Sequence, residues 1–320
     1  MKIAVAGTGY VGLVTGVCLA SKGHQVTCVD VDESKVEMMK KGISPIYEPG
    51  LSQLMKDNME RLDFTTNYAK AYKDAEVIFI GVGTPEKKDG SANLSYVYTV
   101  VEQIAESVEH ECVVVVKSTV PIGTNDKIET YIIEHLKHDI PVHIASNPEF
   151  LAQGTAVQDT LHASRIVIGA ESEYAKKILE KVYENFEAPK VITNRRSAEM
   201  IKYASNDFLA LKISYVNEIA NLCEIVGADI QDVTKGMGLD ARIGDKFLNS
   251  GIGYGGSCFP KDTKALSWLA SFNDNEIKTI KAAIEVNENQ KFKLIKKARK
   301  YYDDFCGLTV AVLGLTFKPG

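Results

Sequence analysis

The chain has 320 residues, 45% hydrophobic and 25% charged, an ordinary globular balance and unlike a collagen-like, disordered or disulfide-dense chain. At roughly 150 residues per domain, this length makes about two domains. The formal net charge is −5, so no overall basic field recruits nucleic acid or anionic lipid, and an anionic ligand must be held by local groups.

Up to about residue 195, short apolar runs alternate with amphipathic segments. Strands are expected at 2–6, 25–30, 76–82, 112–117, 142–145, 166–169 and 190–193, and helices between them include 13–22, 94–108 and 174–186. The run Val113–Val116 is β-branched throughout, which suits a strand covered on both faces. The βαβα rhythm predicts an α/β fold built on a doubly wound parallel sheet over 1–196. The rhythm then stops. Residues 197–226 lack Pro and Gly, and their apolar positions fall at mixed three and four spacing on more than one face, so they read as one long helix packed on several sides. More helix follows to about residue 300 around a glycine-rich loop at 249–259, which makes 197–300 an all-helical central domain. Residues 308–313 read as a last buried strand, and periodicity alone leaves two places for it: an addition to the existing sheet, or the opening of a further α/β unit.

Six cysteines (Cys18, Cys28, Cys112, Cys223, Cys258, Cys306) are scattered, with no Cys-x-x-Cys pair and no histidine at zinc-finger spacing. Neither a structural zinc nor a disulfide framework is expected. No apolar run approaches the ~18 residues that span a bilayer, and the start of the chain is a strand rather than a leader. The expectation is a cytoplasmic protein that binds neither membrane nor metal. His135 and His138, three apart in a polar helical stretch, are expected to be solvated, and so is the basic run 291–300.

Gly7-Thr8-Gly9-Tyr10-Val11-Gly12 follows the first strand directly and opens a helix. Gly7 permits the tight turn, Gly9 lets backbone approach a pyrophosphate, and Gly12 allows close helix–strand packing. The phosphates would rest on helix N-terminal amides. Asp30 ends the next strand, where a carboxylate accepts from ribose hydroxyls and repels a 2′-phosphate, so NAD is favoured over NADP in a Rossmann-like domain. Lys35 nearby runs against that preference.

Lys202 and Asn206 are four apart on the long helix and share a face, where a cation and an amide can hold an oxyanion. In the segment Gly251-Ile252-Gly253-Tyr254-Gly255-Gly256-Ser257-Cys258-Phe259-Pro260-Lys261-Asp262, Pro260 suits the first helical position, so Cys258 lies by a helix N-terminus. The dipole there and Lys261 would favour thiolate. Hydride transfer alone has no need of sulfur. A thiol becomes useful when an aldehyde is oxidised to an acid through a thiohemiacetal and a thioester that water hydrolyses. Glu149 and Asp262 are candidate bases for that water, and Lys202 and Asn206 would stabilise the oxyanion.

Taken together, GTGYVGL from Gly7, VDVDESK from Val29, IYEPGL from Ile46, GVGTP from Gly81, VKSTVPIGT from Val116, NPEFL from Asn147, AEMIKYASN from Ala198, FLNSGIGYGGSCFPKD from Phe247 and LGLTFKPG from Leu313 resemble the UDP-glucose/GDP-mannose dehydrogenase family. The cysteine loop is the most specific of these. The resemblance implies two successive NAD-dependent oxidations at C6 of UDP-glucose, giving UDP-glucuronate and two NADH. It implies NAD contacts at Val11, Asp30, Lys35, Thr84, Thr119 and Lys261, beside Tyr10 of the fingerprint. It implies substrate contacts at Glu149, Phe150, Leu151, Ala152 and Gln153, at Lys202 and Asn206, at Phe247, Leu248, Asn249, Ser250 and Gly251, and at Gly255 and Lys318. Cys258 would be the nucleophile, with Lys202, Asn206, Thr119, Glu149 and Asp262 activating water and stabilising the oxyanion. Arg242 matches an arginine that reaches a neighbouring subunit's substrate, which implies a homodimer around the long helix. Gln153, also near the cofactor, stands where relatives carry a glutamate. Family members continue for roughly another domain that holds the uridine end, so 301–320 is expected to be the first strand of a truncated UDP-binding domain. Two other readings stay open: a single-step β-hydroxyacid dehydrogenase, which shares the glycine fingerprint and the Lys-xxx-Asn helix but has no need of Cys258, and an NAD-binding dimeric fragment without turnover.

Overall fold

Strand β1 (Lys2–Ala6) runs directly into the glycine turn and α1 (Tyr10–Ser21), and the alternation continues in chain order. It proceeds through β2 (Gln25–Val29), α2 (Glu33–Lys40), α3 (Leu51–Asp57), β3 (Leu62–Thr65), α4 (Tyr68–Lys73), β4 (Val77–Ile80) and α5 (Ser95–Ser107). Then come β5 (Cys112–Val116), α6 (Thr124–His135), β6 (Val142–Ser146), α7 (Ala156–Leu161), β7 (Ile166–Ala170), α8 (Glu173–Val182) and β8 (Lys190–Thr193). The rest is helical: α9 (Arg195–Val226), α10 (Ile230–Gly238), α11 (Phe259–Phe272), α12 (Lys278–Gln290) and α13 (Lys293–Ala298). This computed structural model describes residues 1–314. The chain divides within α9, between Lys202 and Tyr203, into two units; Glu86–Ser91 goes with the second.

The first unit is built on one eight-stranded sheet of order β3-β2-β1-β4-β5-β6-β7-β8. The two middle strands, β4 and β5, are apolar at every position because both faces are covered. Val5, Phe79, Val113 and Val115 point into one core with Leu13 and Val17 of α1. Their neighbours Ala4, Ile78, Ile80, Val114 and Val116 point into a second core with Val101 and Ile104 of α5. The period of two along each strand separates the two layers. Strand order reverses between β2 and β4 on either side of β1, the switch point at which open α/β sheets place ligands.

The sheet departs from the expected all-parallel form at one joint. β6 and β7 are antiparallel, Ala145 facing Ala170, while β7 and β8 are parallel again. β3 was not expected; Leu-Asp-Phe-Thr is four residues long and only half apolar, yet it pairs in parallel with β2 at the sheet edge. Helix α6 ends at His135, so His138 lies beyond it. The expected strand at 308–313 is absent: Leu308, Val310, Val312 and Leu313 are exposed and unpaired in any sheet. An apolar run becomes a strand only where a neighbouring strand completes its ladder, and among the described residues none does. The other expectations for 315–320, including Lys318, lie outside the described residues.

The second unit is helical, as expected for the central domain. All six cysteines are free, and Cys18, Cys28, Cys112 and Cys223 are buried. Burial pushes the thiols of Cys18, Cys28 and Cys112 up to about 12. No helix among the described residues is long and apolar enough to cross a membrane.

Candidate active site

The glycine turn behaves as its spacing demands. Gly7 has φ +90°, and its N–H donates to the Val29 carbonyl at 2.7 Å. A Cβ on Gly12 would lie 1.9 Å from the Gly7 carbonyl oxygen, and one on Gly81 would lie 2.9 Å from the Gly12 Cα. These three glycines let β1, α1 and the end of β4 close on one another. Gly9 is different. A Cβ there meets nothing within 4 Å, and Gly9 caps α1 with no side-chain acceptor on the first amides. Open space beside unclaimed helix N-terminal amides fits a pyrophosphate.

Asp30 stands beside that turn. Its Oδ2 accepts from the Thr8 amide at 2.9 Å and from the Thr8 hydroxyl, and Oδ1 accepts from the Asp32 amide at 3.0 Å. Burial works against its charge, but these hydrogen bonds and nearby Lys35 hold the carboxyl below the usual carboxylate range. Asp30 is therefore an anion fixed in place, fit to accept from ribose hydroxyls. Lys35 belongs to the first turn of α2, which Asp32 caps. Thr84 follows β4 and donates its hydroxyl to the Thr119 carbonyl at 2.9 Å, which joins the two threonines expected near NAD.

The segment after β6 carries the second set of expected residues. Lys202 Nζ donates to Glu149 Oε1 at 3.0 Å and to the Glu149 carbonyl at 2.7 Å, and Glu149 Oε2 accepts from the Leu151 amide at 2.8 Å. Both side chains are buried. Phe150 packs under Arg165, whose guanidinium carbon is 3.9 Å from the ring centroid. The Ala152 amide donates to Asp159 at 2.9 Å, and Gln153 is half-buried. Behind Glu149 lies a network the sequence did not reveal. Lys117 Nζ and the Tyr183 hydroxyl both donate to Asn147 Oδ1, at 2.9 and 2.5 Å, and Asn147 Nδ2 donates to the Val167 carbonyl at 2.7 Å. Burial pushes the Lys117 ammonium down to about 8, with Glu149 opposing and Lys202 assisting.

In the second unit Cys258 is the residue that caps α11, half-buried, with its Sγ 3.8 Å from the Ser257 hydroxyl. The helix starts one residue earlier than expected, so Pro260 follows Phe259 in the first turn. Asp262, one turn on, is buried; its Oδ2 accepts from Asn206 Nδ2 at 2.7 Å, and Oδ1 is paired with Lys261. Asn206 thus belongs with Asp262 in this unit, whereas Lys202 belongs with Glu149 in the first. Asp207 is buried near Asp262 with neither carboxylate oxygen bonded, and burial together with the Asp262 charge pushes it up to about 7.

Polar side chains of the helices hold the glycine-rich loop in place. The Gly251 amide donates to Asn217 at 2.7 Å, and its carbonyl accepts from Gln290 at 2.7 Å. Asn287 accepts from the Tyr254 amide and donates to its carbonyl, at 2.7 and 3.0 Å. A Cβ on Gly253 would fall 2.5 Å from Asn287 Oδ1. Gly255 opens on free space. Leu248, Asn249 and Ser250 line an open cleft with Ile230, Gln231 and Thr234 of α10, while Phe247 sits at φ +64° with its ring edge-on to Phe259. Arg242 is exposed and paired with Asp240 at 2.6 Å.

With that geometry in view, similarity to known proteins is informative. Residues 1–187 match the NAD binding domain, and residues 196–289 the central domain, of the UDP-glucose/GDP-mannose dehydrogenase family. A UDP-glucose 6-dehydrogenase of Bacillus subtilis is 54% identical over 321 residues, covering 100% of this chain and 73% of the relative. The structure of a UDP-glucose dehydrogenase from the archaeon Pyrobaculum islandicum superposes with TM-score 0.92 at 39% identity, over 94% of this chain and 71% of that one. A GDP-mannose dehydrogenase from Pseudomonas aeruginosa superposes with TM-score 0.73 at 37% identity, over 93% and 71%.

Proposed function

Because this chain belongs to the UDP-glucose/GDP-mannose dehydrogenase family, we propose that it oxidises UDP-glucose at C6 to UDP-glucuronate with two NAD. The observation that carries this reading is the half-exposed sulfur of Cys258 at the start of α11, one turn before a buried carboxylate that Asn206 fixes. NAD, when bound at the Gly7–Gly12 turn and Asp30, supplies the hydride acceptor for each oxidation.

The chain's own residues supply the rest. Once C6 is an aldehyde, the Cys258 sulfur adds to it and the carbonyl oxygen becomes an oxyanion, which Asn206 and Lys202 are suited to stabilise. The bond from sulfur to C6 keeps the intermediate on the enzyme while the same carbon is oxidised again to a thioester. Asp262 takes a proton from the water that cleaves this thioester, and the thiol and the carboxylate product are released. Glu149, tied to Lys202, is a second carboxylate for moving that proton, with Thr119 assisting. Residues 149–153 and 247–251, with Gly255, hold the sugar nucleotide. Arg242 is assigned to the partner's substrate in a homodimer that forms around α9.

NADH yield on this chain tests the reading. Two NADH per UDP-glucose are expected, and Cys258→Ser should stop the reaction at the aldehyde or an ester-like intermediate. A yield of one, unaffected by Cys258→Ala, points to a single-step β-hydroxyacid dehydrogenase. Calorimetric binding of NAD without any of UDP-glucose supports a dinucleotide-binding dimer lacking turnover.

A further inference from the structure

Glu48 takes no part in the assignments above, yet it is only 4% exposed and lies in an irregular segment before α3. Its carboxylate accepts three hydrogen bonds. Tyr10, the first residue of α1, donates its hydroxyl to Oε2 at 2.6 Å. The Gly154 amide donates to Oε2 at 2.9 Å, and the Ala156 amide donates to Oε1 at 2.7 Å. The two backbone donors lie 106 and 108 residues from Glu48 in sequence. Gly154 has φ +94°, a left-handed conformation that glycine adopts freely, so its amide can turn towards Glu48 without strain. Asp159 ties the other side of the same loop through the Ala152 amide and the Thr155 hydroxyl, at 2.9 and 2.7 Å. The segment Phe150–Thr155 therefore has a local anchor in Asp159 and a long-range one in Glu48, and the long-range anchor ends on the dinucleotide turn.

We propose that Glu48 is a positioning residue that fixes the loop 150–155 against Tyr10 and so sets the geometry in which that loop meets the sugar nucleotide. The proposal rests on the reading above that residues 149–153 contact substrate. A carboxylate is the right group for the task. It has acceptor sites for three donors and no donor of its own, whereas a glutamine of the same shape has one acceptor oxygen and an NH₂ that faces a donor. The hydrogen bonds to a charged acceptor are also the stronger kind.

Glu48→Gln in the full chain keeps the volume and removes the match. Its KM for UDP-glucose should rise about tenfold with kcat changed less than about threefold, the size expected for one charged hydrogen bond lost outside the chemical step. Amide hydrogen exchange should quicken across residues 150–157 and stay unchanged in β4 and β5. Adding Tyr10→Phe should cost less on the Glu48→Gln background than alone, because the two share one hydrogen bond. A KM within about twofold of the parent, exchange quickened evenly through the first unit, or full additivity would each overturn the proposal. If the parent chain does not turn over UDP-glucose, the functional reading fails, and the exchange pattern at 150–157 alone decides whether Glu48 holds the loop.

Discussion

Asp207 shows how one buried side chain makes stability depend on pH. Its carboxyl is raised from 3.8 to about 7, first by burial and then by the charge of Asp262, with Tyr254 also near it. An acid with a folded pKa above its unfolded one binds more protons in the folded state. Its contribution is therefore complete at low pH and is withdrawn as pH rises from about 4 towards about 7. Asp207→Asn removes that withdrawal, so the variant should gain on the parent in thermal midpoint between about pH 4.5 and pH 8. A difference between the two proteins that is the same at both pH values would show that Asp207 is already ionised. Lys202 and Glu149 make the opposite case, a buried pair in which each charge answers the other; removing one partner of such a pair typically costs about 3–5 kcal/mol. The sequence marked Lys202, Asn206, Cys258 and Asp262 because their types and spacing already suggest chemistry. It could not mark Glu48, Asn217, Asn287 or Gln290. Each is a polar residue that would pass for surface, and its meaning comes from a backbone group at least 33 positions away.

At the scale of elements, the β1–turn–α1 unit separates glycines that pack from a glycine that leaves room. Gly12→Ala forces a methyl group to within 1.9 Å of the Gly7 carbonyl and should cost more than about 3 kcal/mol in chemical denaturation. Gly9→Ala meets nothing and should shift stability by no more than about 0.5 kcal/mol, while weakening NAD at least about tenfold by calorimetry. Equal NAD affinity in Gly9→Ala would put the pyrophosphate elsewhere. The same unit was the most legible part of the sequence, since an apolar strand, a glycine triplet and a carboxylate at the end of β2 all agree. Strand β3 was illegible because Leu62 and Phe64 alone face a core. Residues 308–313 misled for the converse reason: hydrophobicity predicts burial, but a strand also needs a neighbour. The reversal of β7 against β6 leaves no mark on composition, because buried strands of either direction read as apolar runs.

For the whole molecule, α9 presents an apolar stripe that the described residues leave uncovered. Phe208, Tyr215 and Leu222 recur every seven residues and are 61, 49 and 53% exposed; Ile225 and Val226 extend the stripe at 81 and 66%. Exposed apolar patches of this kind mark association surfaces. Sedimentation should find a dimer, and Leu222→Glu should shift it to monomer at micromolar concentration without lowering the thermal midpoint of the separated chain. A parent that sediments as monomer removes the proposed role of Arg242, which needs a partner to act on.

Burial of the thiols has a practical consequence. Cys18, Cys28, Cys112 and Cys223 are shut away, so a water-soluble alkylating reagent finds only Cys306 and the half-exposed Cys258. With Cys306→Ser the folded protein becomes a single-site chemical reporter. The rate at which iodoacetamide modifies it, with and without added sugar nucleotide, then follows occupancy around that sulfur without any turnover being required.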